Sequence, residues 1–272
     1  MNTGLIIVGD EILSGKRADK HLPKVIDLLA ARGLTLAWAR YVGDERERIT
    51  ADLVDAFAAA RRGDLVFCCG GIGATPDDHT RQCAARALGV PLELHPQAKA
   101  LIEERMRDVA REQNLPYEPN RPDNVHRLQM GTFPAGAGIV PNPYNKVPGF
   151  SITFGAGGVF FVPGFPVMAW PMIEWVLDTH AAAHHRAVGV RERSVIVFDA
   201  MESTLTPLME AIEARFANIK VFSLPSVDHP EYGRHIELGV KGDAGSLEAA
   251  YAALRDGLAR HAGLRLGPEL VR

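Results

Sequence analysis

Three turns in the first 80 residues combine glycine with acidic side chains, and each directly follows an apolar run of strand length. Glycine permits tight turns and a close approach of the backbone to a ligand, whereas carboxylates bind divalent cations. If the turns met, their combined negative charge would repel an anion unless a cation lay between them. The turns are Gly9-Asp10-Glu11, Gly43-Asp44-Glu45 and Gly70-Gly71-Ile72-Gly73-Ala74-Thr75-Pro76-Asp77-Asp78-His79-Thr80.

The pattern between these turns predicts that they do meet. Apolar runs at Leu5 to Val8, Thr35 to Val42 and Leu65 to Cys69 alternate with segments of helical periodicity. Strands and helices that alternate through short connections are typical of a doubly wound parallel sheet, in which ligands bind outside the carboxyl ends of the strands. A single aspartate before a helix is commonly an N-cap, so the prediction depends on the convergence of all three turns.

The third turn adds a feature that suits phosphate. A glycine-rich loop that opens a helix presents backbone N–H groups and the positive end of the helix dipole. Together with the acidic turns, it predicts a phosphorylated ligand bound through Mg²⁺ or another divalent metal. Two common nucleotide motifs do not fit, because Arg17 stands where a Walker A loop needs Ser or Thr, and Pro76 replaces the third glycine of a dinucleotide fingerprint.

Composition excludes several classes of protein. The 272 residues include 30 basic and 33 acidic side chains, and the net charge of −3 argues against general binding to nucleic acid or to an anionic membrane. The longest apolar runs are far shorter than the ~20 residues that span a bilayer. The N-terminal residues have no basic segment before Asp10, so no signal peptide is predicted, and we expect a soluble, cytoplasmic protein.

Two domains are predicted. Residues 1–182 form the larger α/β domain, and a boundary in Ala181 to Arg193 precedes a small α+β domain at residues 190–265 with the element order βαββα. The three cysteines lack the spacing of a zinc site, so we expect them in the core.

The combined motifs resemble those of the molybdopterin-binding (MoaB/Mog) domain family, and more closely those of its CinA-like branch. The resemblance covers about residues 4 to 265 and leaves out the amidohydrolase domain of full CinA proteins, so deamidation of nicotinamide mononucleotide is not expected. It is carried by the three turns, with the first extending to Gly15, and by Pro141-Asn142-Pro143, Pro148-Gly149-Phe150, Pro163-Gly164-Phe165-Pro166 and Glu202-Ser203-Thr204-Leu205.

This resemblance implies a three-layer, doubly wound, mostly parallel sheet that binds a nucleotide or pterin phosphate, usually in a homo-oligomer. The CinA-like branch is associated with Mg²⁺-dependent hydrolysis of ADP-ribose, and this activity is the leading hypothesis. In this hypothesis, Asp44 and Asp78 hold the metal, while Asp10 or Glu11 is a third ligand or the base that activates water. Substrate and phosphate contacts are then expected from Gly70, Gly71, Gly73, Thr75, Thr80, Lys146, Pro148, Gly149, Pro163 and Gly164.

Two other functions remain open. The first is a molybdopterin-binding role in molybdenum-cofactor biosynthesis, in which Asp44 and Asp78 would serve adenylylation in the same crevice. The second is a non-catalytic nucleotide-binding module, since Asn145, Lys146 and Phe165 differ from the residues usual in the CinA-like branch. All three hypotheses expect a small-molecule partner and neither nucleic acid nor membrane.

Overall fold

The computed structural model describes residues 1–185 and 190–271, and their contacts divide the chain into two units, Met1–His185 and Arg186–Arg272. The first unit alternates strands and helices over its first 90 residues and ends with a strand hairpin and a long helix. In chain order its elements are β1 (Thr3–Val8), α1 (Asp10–Leu13), α2 (His21–Ala30), β2 (Leu36–Val42), α3 (Arg46–Arg61), β3 (Leu65–Cys69), α4 (Thr80–Leu88), β4 (Leu92–Leu94), α5 (Pro96–Glu112), α6 (Pro122–Leu128), β5 (Thr132–Pro134), β6 (Gly138–Val140), β7 (Gly149–Phe154), β8 (Gly157–Val162) and α7 (Pro166–His180).

Six strands of this unit form one sheet in the order β2-β1-β3-β8-β7-β6. β1 pairs in parallel with β2 and β3, and β3 pairs in parallel with β8, whereas β7 and β6 are antiparallel to their neighbours. The prediction of a doubly wound, mostly parallel sheet is therefore confirmed. β4 and β5 form a separate two-stranded sheet that the sequence analysis did not predict.

The two faces of the sheet explain why its central strands are continuously apolar. Every residue of β1, β3 and β8 is buried, as expected for strands that are covered by helices on both sides. In β1, Ile6 and Val8 join a core cluster that contains residues of α3 and α4, whereas Leu5 and Ile7 join a second cluster with residues of α2 and α7. This arrangement is a three-layer α/β sandwich.

The cysteines belong to these cores, as predicted. Cys68, Cys69 and Cys83 are free thiols and all three are buried, with Cys68 and Cys69 on opposite faces of the sheet. Burial raises the pKa of the Cys69 thiol well above its ordinary value. These side chains therefore act as small apolar residues in packing.

The second unit contains a four-stranded antiparallel sheet in the order β10-β11-β9-β12. Its core joins apolar residues of these strands with residues of two helices. The elements are β9 (Val190–Phe198), α8 (Glu202–Arg215), β10 (Ile219–His229), β11 (Gly233–Asp243), α9 (Ala244–Ala259) and β12 (Arg265–Val271).

The last strand corrects the predicted order βαββα. β12 continues to Val271, past the predicted end of the small domain at residue 265, and pairs with β9. Its register shifts between Leu266 and Glu269, where Gly267 and Pro268 interrupt the alternation that identifies a strand in a sequence. Across the described parts of both units, no helix has the length and apolarity that a membrane span requires.

Candidate functional site

A cavity of about 410 Å³ lies in the first unit at the carboxyl ends of the parallel strands. Its walls come from the residues that directly follow β1, β2, β3 and β8, and from the loop that precedes β7. The predicted meeting of the three turns is thus found at the position where doubly wound sheets bind ligands. The pair Pro163-Gly164 adds a fourth strand end, because β8 runs parallel to β3.

Ten of the residues predicted for the site line this cavity, and four do not. Asp10, Thr80, Lys146 and Gly149 lie outside its lining. The lining residues among those predicted are Glu11, Asp44, Gly70, Gly71, Gly73, Thr75, Asp78, Pro148, Pro163 and Gly164.

Asp10 positions Asp44 by a reciprocal pair of hydrogen bonds. The Asp44 backbone N–H donates to Asp10 Oδ1 at 3.1 Å, and the Asp10 backbone N–H donates to Asp44 Oδ2 at 3.0 Å. Because Asp10 Oδ1 accepts from the neighbouring turn and Asp10 lies outside the cavity lining, the structure gives Asp10 a positioning role toward Asp44, and its role as base or metal ligand stays a prediction. Gly43 is required here, since a Cβ at that position would lie 2.4 Å from Asp10 Oδ1.

The third turn is shaped by Asp78. Its Oδ2 accepts hydrogen bonds from the Thr75 backbone N–H at 2.8 Å and from Thr75 Oγ1 at 2.6 Å. A Cβ on Gly73 would lie 2.5 Å from the same oxygen, so the turn needs glycine at this point. Oδ1 of Asp78 takes no part in these bonds and is available to a ligand.

Two buried side chains stabilise the third turn by donating hydrogen bonds to its backbone carbonyl groups. Thr80 is fully buried, and its hydroxyl donates to the Gly70 carbonyl at 3.0 Å, so the prediction that Thr80 contacts substrate is wrong. Gly71 has φ +68°, and a Cβ there would lie 2.1 Å from Thr80 Oγ1. The buried guanidinium of Arg81, whose pKa is lowered by burial, donates to the Ile72 carbonyl.

Lys146 and Gly149 also have structural roles in place of the predicted contacts. The Lys146 ammonium donates to Glu104 Oε1 and to Asp108 Oδ2, both at 2.6 Å, and these acids on α5 raise its pKa. This pairing directs the charge away from the cavity. Gly149 is buried in β7, where a Cβ would lie 2.2 Å from the Phe161 carbonyl oxygen.

The structure adds residues that the sequence analysis did not assign to the site. Arg17 is the one lysine or arginine among the described lining residues, and its guanidinium lies 5.7 Å from the centre of the Phe165 ring. Arg17 Nη1 is also 3.8 Å from Glu11 Oε1. Other additions to the lining include Asp77, Met130, Asn142, Asn145, Val147 and Met168. The signal for Arg17 was the basic pair that follows the first acidic turn.

The acidic residues of the cavity repel one another. The pKa of Asp44 is raised, chiefly because the side chain is partly buried, and further by the negative charges of Asp10, Glu11 and Asp77. The hydrogen bond from the Asp10 backbone opposes this shift without cancelling it. Ionised Asp44 is therefore a site at which a bound cation would relieve repulsion.

The pKa of Asp44 is higher in the folded state than its ordinary value of 3.8. The folded state therefore becomes less stable relative to the unfolded state as the pH rises above 3.8 and Asp44 ionises. Asp44→Asn removes that charge but keeps an oxygen that can accept from the Asp10 backbone. In metal-free buffer, we expect the urea midpoint of Asp44→Asn to exceed that of the wild type at pH 7. The difference should vanish toward about pH 3, where the aspartate is protonated in both states. A lower midpoint for the variant at pH 7 would contradict the charge argument.

The carboxylates of the cavity suit a metal ion that binds together with a phosphate-containing molecule. Within residues 1–185 and 190–271, no three His, Cys, Asp or Glu side chains cluster as a metal site would require. Mg²⁺, however, is commonly held by one or two carboxylates together with substrate phosphates and water. Asp44 and Asp78 fit this role, because each has a carboxylate oxygen outside its hydrogen bonds to the turns.

The fold and the cavity define an α/β domain that binds a small molecule at the ends of its strands. A family model described as a probable molybdopterin binding domain matches residues 4–183, and the chain belongs to this family. The lining residues of the cavity all fall between Val8 and Met168, so the site lies within the matched region.

Individual relatives agree with this assignment. A CinA-like protein of Anaeromyxobacter sp. (strain K) is 35% identical over 178 residues, which is 65% of this chain and 40% of that protein. Protein TV0584 of Thermoplasma volcanium is 28% identical and matches 94% of this chain and 93% of its own length. The crystal structure of CinA, of unknown function, from Thermoplasma acidophilum is 25% identical, covers 65% of this chain and 98% of its own, and has a TM-score of 0.54. The chain thus spans less than half the length of several CinA-like proteins that it matches.

Proposed function

We propose that this protein is a Mg²⁺-dependent pyrophosphatase that cleaves the diphosphate of ADP-ribose or a similar nucleotide. The observation that carries the proposal is that three chemical features line one cavity. They are the carboxylates of Asp44 and Asp78, the glycine-rich turn after β3, which also carries Asp78, and Arg17 with Phe165. The volume of about 410 Å³ lies in the usual range of ~300–1,000 Å³ for small-molecule sites.

Each of these three features has a task in this reaction. Asp44 and Asp78 would hold Mg²⁺, which when bound neutralises charge on the diphosphate oxygens. The backbone of Gly71 and Gly73 would contact the phosphates, and the exposed Phe165 ring would stack on the planar base. The resemblance to the CinA-like branch supports ADP-ribose as the substrate, and it also supports a homo-oligomer that acts in the cytoplasm.

Glu11 is the residue best placed to act as the base, because Glu11 lines the cavity whereas Asp10 does not. It would take a proton from a water molecule as the water oxygen attacks one phosphorus atom. The bridging P–O bond then breaks, and AMP and ribose 5-phosphate leave. Arg17 Nη1, 3.8 Å from Glu11 Oε1, would help to orient this carboxylate.

The direct test is incubation of the purified chain with ADP-ribose and Mg²⁺, with release of AMP followed by chromatography. AMP from the wild type, and none from Asp78→Asn, would support the proposal. AMP from neither protein, although both remain folded by circular dichroism, would contradict it. Equal AMP release by both would exclude Asp78 as a metal ligand.

A role in molybdenum-cofactor biosynthesis is the second candidate, because the family is that of a probable molybdopterin binding domain. Met130, Phe165 and Met168 give the cavity an apolar wall that suits a planar pterin ring. This function predicts transfer of AMP from ATP to molybdopterin rather than release of AMP from ADP-ribose. Binding of either nucleotide without turnover and without dependence on metal would instead favour the non-catalytic module.

Phe165 provides a test of how the base is bound. We expect Phe165→Ala to raise the KM for ADP-ribose about tenfold and to change kcat little, since loss of one stacked ring weakens binding by ~1–3 kcal/mol. Val167→Ala is a matched control, because Val167 is similarly exposed (54% against 56%) but does not line the cavity. An unchanged KM in Phe165→Ala would exclude stacking on this ring.

A further inference from the structure

The segment Pro163-Gly164-Phe165 forms one wall of the cavity and links β8 to α7. It packs closely on the glycine-rich turn, because a Cβ on Gly164 would lie 3.5 Å from the Cα atom of Gly70. The same segment carries the Phe165 ring to the cavity. Whatever fixes the backbone of this segment therefore fixes that ring relative to the turn.

The Phe165 ring depends on its backbone for its position. More than half of the residue is exposed (56%), so packing contributes little to holding the ring. On one side, α7 holds the backbone, since the Phe165 carbonyl accepts from the Met168 and Ala169 N–H groups at 3.0 and 2.9 Å. On the other side, the orientation of the peptide between Gly164 and Phe165 depends on the partner of the Gly164 carbonyl.

His21 supplies that partner. Its imidazole Nε2 lies 3.0 Å from the Gly164 carbonyl oxygen, and because a carbonyl can only accept, Nε2–H is the donor. His21 is the first residue of α2 and is 4% exposed, although it stands 143 positions before Gly164 in the sequence. The bond thus connects the wall of the cavity to a helix through a donor that is shielded from water.

The His21 backbone is itself fixed by Asp19. Asp19 Oδ1 accepts from the His21 backbone N–H at 2.8 Å, and Oδ2 accepts from the Leu22 N–H at 3.0 Å and from the Tyr41 hydroxyl at 2.9 Å. Burial and the hydrogen bond to Asp19 raise the pKa of Tyr41 to about 12, so this hydroxyl remains a donor at neutral pH. His21 is therefore held relative to both α2 and β2.

Packing alone does not favour a histidine at this position. Nδ1 of His21 is buried and has no hydrogen-bond partner in the part of the chain that the structure describes. A buried polar atom without a partner lowers stability, and an apolar side chain of similar size would avoid that loss. What the histidine adds is the bond to Gly164.

We propose that His21 is a positioning residue that fixes the Gly164–Phe165 peptide and thereby holds the Phe165 ring where a planar base binds. The inference rests on the proposed function, in which this ring stacks on the base of the nucleotide. Without His21, water replaces it as the partner of the exposed Gly164 carbonyl, and the ring is no longer held at the cavity. Binding must then order the segment, which weakens affinity but leaves Asp44 and Asp78 unchanged.

The test compares two variants of His21 in the full chain. His21→Leu removes the donor, whereas His21→Gln keeps an N–H donor at the same number of bonds from Cα as Nε2. We expect His21→Leu to raise the KM for ADP-ribose about fivefold with little change in kcat, and His21→Gln to keep the wild-type KM. The unfolding temperature of His21→Leu should not fall, because the substitution also removes the unpartnered Nδ1.

His185→Leu is the matched control. His185 Nε2 lies 3.1 Å from the Leu177 carbonyl oxygen, so this variant removes a similar contact outside the cavity, and we expect an unchanged KM. An unchanged KM in His21→Leu would overturn the proposal. Equal increases in His21→Leu and His21→Gln with a lower unfolding temperature would also overturn it, because they would indicate a structural role.

A double variant tests whether His21 acts through the ring. In a Phe165→Ala background, His21→Leu should change the KM little, because both substitutions remove the same interaction with the base. If His21→Leu raised the KM by its full factor in that background as well, His21 would act on the site by another route and the proposal would be wrong.

A further measurement needs no turnover. The heteronuclear ¹⁵N–¹H Overhauser effects of the Gly164 and Phe165 amides, recorded without ligand, report fast motion of this backbone. We expect lower values in His21→Leu and wild-type values in His21→Gln. Unchanged values in His21→Leu would overturn the proposal whatever the protein hydrolyses. Lower values there, together with no AMP release by the wild type, would contradict the pyrophosphatase but support the positioning role of His21.

Discussion

Asp44→Asn and Asp78→Asn should each lower Mg²⁺-dependent AMP release from ADP-ribose at least about 100-fold, equivalent to ~2.7 kcal/mol of transition-state stabilisation. The two carboxylates stand on turns that follow different strands, and each keeps one oxygen free of hydrogen bonds within the turns. Loss of either charge therefore removes one of two protein ligands to the metal. A residue that only shaped its turn would affect stability more than turnover.

Both substitutions should leave the fold intact. The asparagine carbonyl can still accept from the Asp10 backbone at position 44 and from Thr75 at position 78, so the hydrogen bonds that shape the turns persist. Asp27→Asn is the matched control, because Asp27 is exposed on α2 and lies outside the cavity. Full activity in either cavity variant, or an equal loss in Asp27→Asn, would contradict the assignment.

The fold was predictable because its signals are local. Apolar runs buried on both faces, such as β1 and β3, have no alternating pattern, and glycine-containing turns mark their ends. The rule that ligands bind at the carboxyl ends of parallel strands then placed Asp44 and Asp78 in one cavity without any knowledge of their distance. The strand β12 was missed because Gly267 and Pro268 break its pattern, and only pairing with β9 identifies it.

The roles of individual residues at the site were harder to predict, since they depend on contacts between distant segments. Lys146 is separated by 38 positions from Asp108, and nothing in the loop sequence shows that the Lys146 ammonium group forms an ion pair with an acid on α5. Thr80 lies among predicted site residues in the sequence, yet its side chain is buried and its hydroxyl donates to the Gly70 carbonyl. Conversely, Arg17 lines the cavity next to Glu11, to whose carbonyl the Arg17 backbone N–H donates across the turn that follows α1.

Removal of Mg²⁺ should reduce AMP release to the uncatalysed background, and excess Mg²⁺ should restore it. We also expect Mg²⁺ alone to raise the unfolding temperature by less than about 1 °C, whereas Mg²⁺ with AMP raises it by several degrees. The reason is that the described residues offer no complete metal site, so the cation needs phosphate oxygens to be held firmly. Differential scanning fluorimetry with each component separately and with both together measures this coupling.

The same argument predicts that the loss of metal and the loss of its ligand are not additive. In Asp44→Asn, EDTA should lower the residual AMP release by much less than it does in the wild type, because both changes remove the same interaction. If EDTA and the substitution acted independently, their fold reductions in AMP release would multiply. If EDTA reduced the residual activity of Asp44→Asn by the full wild-type factor, Asp44 would act separately from the metal, and its raised pKa would then point to a role in proton transfer.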